Sequence, residues 1–331
     1  MTSRRSFIQV SLGTLSTVSL VEIARPAGRP HRIGFLGAAS ASTPGTLRRV
    51  EAFRAGLRAL GYVEGADVVV EFRWANGDAR RLPELARELV RLPVDVLMTQ
   101  GSSGTRAAKD ATSTIPIVMM AVGDAVGAGL VASLARPGGN VTGSTFLGPQ
   151  IYAKQLELLR EAVPRVARVA VLMNPGNPGN RTALRELEGA ARSMKVTLTP
   201  IDARGREELE SAFRAMAAQR VDGVVVSADA QLIANSSAIA ELALAHHFPT
   251  ASAWWEFAES GGLLVYGANI YDLYSRSPRF VDKILKGARP ADLPVEQPTR
   301  FKLAINLKTA KVLGLTIPPS LLLRADEVIS S

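Results

Sequence analysis

The sequence predicts an α/β protein with two Rossmann-like lobes on parallel sheets, joined by a hinge of several chain crossings. Three observations carry that reading. Short β-branched runs alternate with longer amphipathic segments from Arg32 onward, the pattern of helices layered on a sheet. The alternation is played through twice with the same order of elements. The 331 residues, 47% of them hydrophobic, suffice for about two domains with separate cores.

In the first half, Arg32–Leu36, Asp67–Phe72, Asp95–Thr99 and Ile117–Met120 read as strands. Between them lie helices over about Thr46–Leu60, Arg80–Arg91 and Ser103–Ala111. Gly61 follows the first helix, where glycine favours a stop. Pro93 and Pro116 each precede a strand, where a missing N–H does little harm.

The second half repeats the order. Val169–Met173, Thr197–Ile201, Gly223–Val226 and Thr250–Ala253 read as strands, and Pro178–Met194, Glu207–Gln219 and Gln231–His246 as helices. Near-continuous apolar runs such as Val-Ala-Val-Leu-Met suit parallel strands buried on both faces. Pro137-Gly138-Gly139-Asn140 precedes Val141-Thr142-Gly143, with a helix from near Gln150; Gly261-Gly262 opens a strand to Tyr266-Gly267, with a helix from about Tyr271 to Lys286. These are the expected crossings, with a third near Glu296–Phe301. They divide the chain into a lobe of residues 29–143 plus about 268–298 and a lobe of 144–267 plus about 299–331. Several crossings make a hinge about which the lobes move as rigid bodies.

Residues 1–28 read as an address rather than as fold. Arg4-Arg5-Ser6-Phe7-Ile8 has the twin-arginine export pattern, and the Ser/Thr-rich stretch to Leu20 is too short and polar to span a bilayer. Cleavage falls at 24–28, and general secretion could use the same segment. The net charge of +9 is spread along helices (Arg48, Arg54, Arg58, Arg80, Arg87, Arg185, Arg192), a solvated face rather than a nucleic-acid footprint. No cysteine is present, which excludes disulfides, a thiolate nucleophile and a lipidated Cys anchor. The expected location is the periplasm, as a soluble monomer.

Ligands of parallel α/β sheets sit at the carboxyl ends of the strands, and the segments there are rich in small polar residues. Ser40 and Ser42, Thr99, Gln100 and Ser102, Asn174 and Asn177 are the candidate polar contacts. Ser102 and the Asn174–Asn177 turn invite two readings, ligand binding at a helix start or N-capping. Asp124 and Asp229 each follow a buried strand and could neutralise a ligand amine, solvation, capping or pairing being the alternatives. Trp254 and Trp255 offer stacking surfaces, of which one faces the cleft and the other packs; Phe146 and Tyr266 stand at the crossings.

The chemistry of catalysis has no support. His31, His246 and His247 lack the spacing of a helical metal pair. Gly34-Phe35-Leu36-Gly37 is no dinucleotide turn, no Gly-Lys-Ser/Thr phosphate loop occurs, and Gly101-Ser102-Ser103-Gly104 lacks the spacing of a nucleophile elbow. No catalytic residue, metal or cofactor is expected.

From about His31 onward the chain resembles the ABC-transporter substrate-binding proteins that include tryptophan- and tyrosine-binding members. Val141-Thr142-Gly143, Lys154-Gln155-Leu156-Glu157-Leu158-Leu159 and Val169-Ala170-Val171-Leu172 are similar to its central segment. Closer still are Glu259-Ser260-Gly261-Gly262 to Tyr266-Gly267, Ile284-Leu285-Lys286-Gly287 through Thr299, and Ile305-Asn306-Leu307-Lys308-Thr309-Ala310-Lys311. The resemblance implies the type I periplasmic-binding fold and an extracytoplasmic role, closing on a small organic solute, an amino acid for instance, and delivering it to an inner-membrane permease. Ala253-Trp254-Trp255-Glu256-Phe257 departs from the family's Arg-Glu-Phe-like segment and leaves the ligand open. The alternative is a ligand-sensing regulatory domain of the same fold, which predicts an attached DNA-binding, kinase or membrane element.

Overall fold

The computed structural model describes residues 29–146 and 151–330, apart from the side chains of residues 181 and 182. The predicted export signal and the helix start at Gln150 lie outside the described residues. The first lobe runs β1 (His31–Gly37), α1 (Pro44–Ala59), β2 (Val68–Trp74), α2 (Leu82–Arg91), β3 (Val96–Gln100), α3 (Gly101–Ala111), β4 (Ile117–Val122) and β5 (Val141–Thr145). The sheet order is β2-β1-β3-β4-β5, with every pair parallel. β1 and β3 are both inner strands, so Ile33, Phe35 and Leu36 are buried, as are Val96–Met98 beside them. This is why the central strands read as unbroken apolar runs.

The second lobe adds α4 (Ile151–Ala162), β6 (Arg168–Met173), α5 (Asn180–Met194), β7 (Thr197–Asp202), α6 (Arg206–Ala218) and β8 (Gly223–Val226). It continues with α7 (Ala230–Ala234), α8 (Ser236–Ala245), β9 (Thr250–Ser252), α9 (Trp255–Glu259) and β10 (Leu264–Ala268). Its sheet contains β7-β6-β8-β9-β10 in that order, the same winding as the first. The chain then forms α10 (Ile270–Arg276), α11 (Pro278–Leu285), β11 (Phe301–Asn306), α12 (Leu307–Val312), α13 (Pro319–Leu322) and β12 (Glu327–Ile329). β11 joins the second sheet antiparallel to β10, and β12 follows parallel to β11.

Three predicted elements come out differently. The helix expected over Gln231–His246 is broken at Asn235, which has φ −109° and ψ 19° and closes α7. The helix expected over Tyr271–Lys286 divides at Ser277-Pro278, where proline has no N–H to continue the ladder. The antiparallel β11 and the short edge strand β12 add a rim to the expected parallel sheet.

Three segments carry the chain between the sheets. The first follows Phe146; β5 itself, which includes Val141-Thr142-Gly143, belongs to the first sheet. The second lies at Asn269, between β10 and α10, which packs on α1 so closely that a Cβ on Gly56 would lie 2.1 Å from the Ser275 carbonyl oxygen. The third follows a Pro-rich strap laid along β5. Thr142 Oγ1 donates to the Leu293 carbonyl at 2.6 Å, the Glu296 amide to that of Gly143 at 2.9 Å, and the Thr145 amide to that of Glu296 at 2.9 Å.

The glycines of the family-like motifs have steric reasons. At Gly143, φ is +127° and a Cβ would lie 2.1 Å from the Met119 carbonyl oxygen. At Gly267 a Cβ would lie 1.9 Å from that of Ala253. Asn306 Nδ2 donates to the Ala258 carbonyl and its Oδ1 caps α12 at Thr309, whose hydroxyl reaches the Gly261 carbonyl. These motifs tie the second lobe's rim together.

Candidate ligand-binding site

The carboxyl ends of the two sheets face each other, and a cavity of about 300 Å3 lies between them. The first lobe contributes Ser102 from α3, Gly123–Val126 after β4, and Thr145 at the end of β5. The second contributes Tyr152 of α4, Asn177 and Gly179 after β6, Ala228 after β8, and Asn180, Ala183 and Glu186 of α5. Gln297 reaches in from the third crossing, and Leu134 adds an apolar wall. Both lobes thus place the cavity where doubly wound sheets bind ligands.

The local backbone explains how Asp124 arrives there. Between Met119 and Val122 the register with β5 shifts, and Ala121 adopts φ 54° in the left-handed region that residues with a Cβ rarely visit. The bulge redirects the strand end. Beyond it, Asp124 Oδ1 accepts from the amides of Val126 and Gly127 at 3.1 and 2.8 Å, and Oδ2 meets no donor among the described residues.

On the opposite wall, Asn180, Ala183 and Glu186 recur three residues apart along α5 and so share a face. Burial pushes the Glu186 carboxyl up to about 7, and the charge of Asp124 adds to the shift. The Tyr152 hydroxyl accepts from the Ala228 amide at 3.0 Å, which leaves its proton to donate elsewhere; burial raises its pKa. Thr145 Oγ1 is buried and has no hydrogen-bond partner among the described residues. Ser227 and Gln231, behind Ala228, also bury unpartnered polar atoms, an unusual concentration where nearly every buried polar group is normally paired.

Of the residues expected from the sequence, Ser102, Asp124 and Asn177 line the cavity. Asp229 is turned inward as scaffold. Its Oδ1 accepts from the amides of Gln231 and Leu232 and from Asn174 Nδ2, and its Oδ2 accepts from Asn177 Nδ2 at 2.9 Å. Burial raises its pKa against these hydrogen bonds. Asn174, held this way, positions the turn while its Oδ1 accepts from the Gly176 amide. Thr99 is fully buried, its hydroxyl 2.8 Å from that of Thr105 beneath α3. Gln100 lies off the cavity beside Arg49, Trp74 and Tyr274. Ser40 and Ser42 are 3.2 Å apart, hydroxyl to hydroxyl, in the turn before α1.

The aromatics serve packing. Trp254 and Phe146 stack at 4.0 Å with planes 5° apart, pinning the end of β5 to the second lobe. Trp255 and Tyr266 are partly buried against the same core, and the Tyr266 ring lies 6.0 Å from that of Phe301. Beside them the lobes touch directly. Arg48 of α1 forms a two-point ion pair with Glu259 of α9, and buried Arg49 lies 3.4 Å from Glu256, which also accepts from the Tyr271 hydroxyl at 3.1 Å. The cleft is closed at this edge.

Two lobes of one winding, three crossings and a cavity between facing strand ends define a type I periplasmic-binding fold. A profile of the ABC transporter substrate binding protein family matches residues 38–329, and the chain belongs to that family. A tyrosine-binding protein of Clostridioides difficile is 26% identical over 256 residues, 77% of this chain and 73% of its own. A conserved domain protein from Vibrio cholerae has the same fold with a TM-score of 0.85 and 29% identity, over 91% of this chain and all of that one. A Streptococcus pneumoniae ABC domain crystallised with L-Trp has a TM-score of 0.84 and 28% identity at the same coverage. Among the described residues no helix is long and apolar enough to cross a membrane.

The sequence reading missed Thr145, Tyr152, Asn180, Ala183, Glu186 and Gln297. The expected contacts lie in loops after strands, whereas most of these lie on helix faces or on a crossing. The signal available was the three-residue recurrence of Asn180, Ala183 and Glu186 on a helix already predicted over 178–194.

Proposed function

We propose that the protein is the extracytoplasmic receptor of an ABC importer, closing its lobes on a small organic solute, an amino acid, and handing it to a membrane permease. The observation that carries this reading is the cavity between the lobes. Its volume of about 300 Å3 is at the small end of ligand sites, and its lining combines apolar walls with a few convergent polar groups. Amino acids are the ligands named for two relatives, tyrosine for one and L-Trp for another. In this reading the leader of residues 1–28 directs the chain to the periplasm by the twin-arginine or the general route. Polar side chains of the site are candidate contacts, with Ser102, Asp124, Asn177 and Glu186 foremost.

The test is native mass spectrometry of protein purified without denaturation, followed by thermal-shift screening of the twenty amino acids. A ligand that binds only the folded state raises stability by about 2.7 kcal/mol at a hundred times its Kd. The reading fails when no small solute co-purifies and no amino acid raises the melting temperature. Turnover of a bound solute would sink the receptor role.

A further inference from the structure

We propose that the ammonium group of the ligand is its obligatory handle, held between Asp124 of the first lobe and Glu186 of the second, so that the site also accepts amines without a carboxylate. The inference rests on the receptor reading and names its chemical class. Asp124 approaches from the end of β4, with one carboxylate oxygen spent on backbone amides and the other without a donor among the described residues. Glu186 approaches from α5 and lines the cavity, with no hydrogen bond or ion pair to its carboxylate among the described residues. Among the described side chains that line the cavity none is Lys, Arg or His, whereas Asp124 and Glu186 bring two carboxyl groups. A second ligand signal is independent of the acids: Thr145 Oγ1 lies in a residue only 2% exposed, lines the same cavity and has no partner among the described residues.

A carboxyl group whose ionised form is disfavoured by burial and by a neighbouring acid is relieved by a cation placed beside it. Burial and the Asp124 charge already push Glu186 up to about 7. Behind the cavity wall, buried Asp229 adds a third acid, and its influence and that of Glu186 are both felt at Tyr152. Among the described lining residues a ligand carboxylate meets neutral donors, such as the hydroxyls of Ser102, Thr145 and Tyr152 and the amide of Gln297. Charged hydrogen bonds outweigh neutral ones by about twofold in free energy. Because the two acids stand on different lobes, the cation gains both only in the closed state, and so it favours closure.

The experiment is calorimetric titration of the full mature chain with three probes sharing one side chain: L-tryptophan, tryptamine and indole-3-propionate. A second set consists of L-tyrosine, tyramine and 3-(4-hydroxyphenyl)propionate. The expected result is that the amine stays within about tenfold of the amino acid while the desamino acid loses about a hundredfold or more. Glu186→Gln and Asp124→Asn should each weaken amine binding by about 10- to 100-fold, and Glu186→Asp should recover part of it; unchanged circular dichroism shows the variants folded. A desamino acid binding as tightly as its amino acid overturns the inference and leaves the receptor reading standing. Undiminished affinity in Glu186→Gln does the same, since it would make Glu186 a protonated donor to a carboxylate. Failure of all six probes and of the twenty amino acids, with no co-purified solute, overturns both.

Discussion

Replacing Glu186 by Gln should stabilise the unliganded protein at alkaline pH and leave it unchanged in acid. The carboxyl is raised from 4.5 to about 7, first by burial and then by Asp124. A raised acid is one whose ionised form the fold disfavours. The penalty is therefore absent below the unfolded value near 4.5, grows as pH rises toward 7, and is constant above it. Converting the whole shift at about 1.4 kcal/mol per unit gives an upper bound of about 3 kcal/mol. Glu186 is only half-buried, so solvent screening reduces the expected gain to about 1 kcal/mol, or about 2 °C in Tm for a chain of this size. Urea denaturation of both proteins at pH 5, 6, 7 and 8 measures it. A difference between variant and parent that is the same at pH 5 and pH 8, or no gain at pH 8, would refute the account of the acid pair. Ligand binding should show the opposite dependence in the parent protein: the affinity for an ammonium ligand falls as pH drops below 7, because Glu186 must give up its proton to hold the cation.

Trp254→Ala removes the ring stacked on Phe146 and should cost about 3–5 kcal/mol in urea denaturation, while affinity at low temperature changes by no more than a few-fold, since the ring does not line the cavity. Gly267→Ala drives a methyl into the Ala253 carbonyl and should cost about 3 kcal/mol, at the top of the overpacking range; a stable variant would show that β9 and β10 separate easily. Asp229→Ala leaves the amides of Asn174 and Asn177 and two backbone N–H groups without their acceptor, so stability should fall by about 2–4 kcal/mol and affinity with it; retained affinity would show that Asn177 needs no support.

The architecture was legible because its causes are local and repeated. Burial on both faces of a parallel strand leaves an unbroken apolar run, and Val169–Met173 and Gly223–Val226 carry such runs in the sequence as plainly as in the sheet. Asn235 and Pro278 were visible too, yet each falls inside an apolar periodicity that continues past it; whether a helix bends or stops there depends on what the next segment packs against. β11 offered less. Its direction is fixed by the strap along β5 that precedes it, a set of backbone hydrogen bonds to Gly143 and Thr145 about 150 residues away, and no spacing in the sequence encodes such a partner.

The site divides along the same line. A small polar residue after a strand marks a cleft whatever the rest of the fold does, which is how Ser102, Asp124 and Asn177 could be found. The same rule also collects residues that build the walls. Asp229 and Thr99 obey it and face inward, because a cap on α7 and a hydroxyl pair under α3 satisfy them better than solvent would. Glu186 is the converse case. On an amphipathic helix an acid ordinarily marks the solvated face, and only the arrival of the other lobe, with Asp124 at its tip, turns that face into the wall of a cavity. A side chain whose environment is made by closure of two lobes has no local signature. The physical trace it leaves is in its titration, and that is where the pH series on Glu186→Gln looks for it.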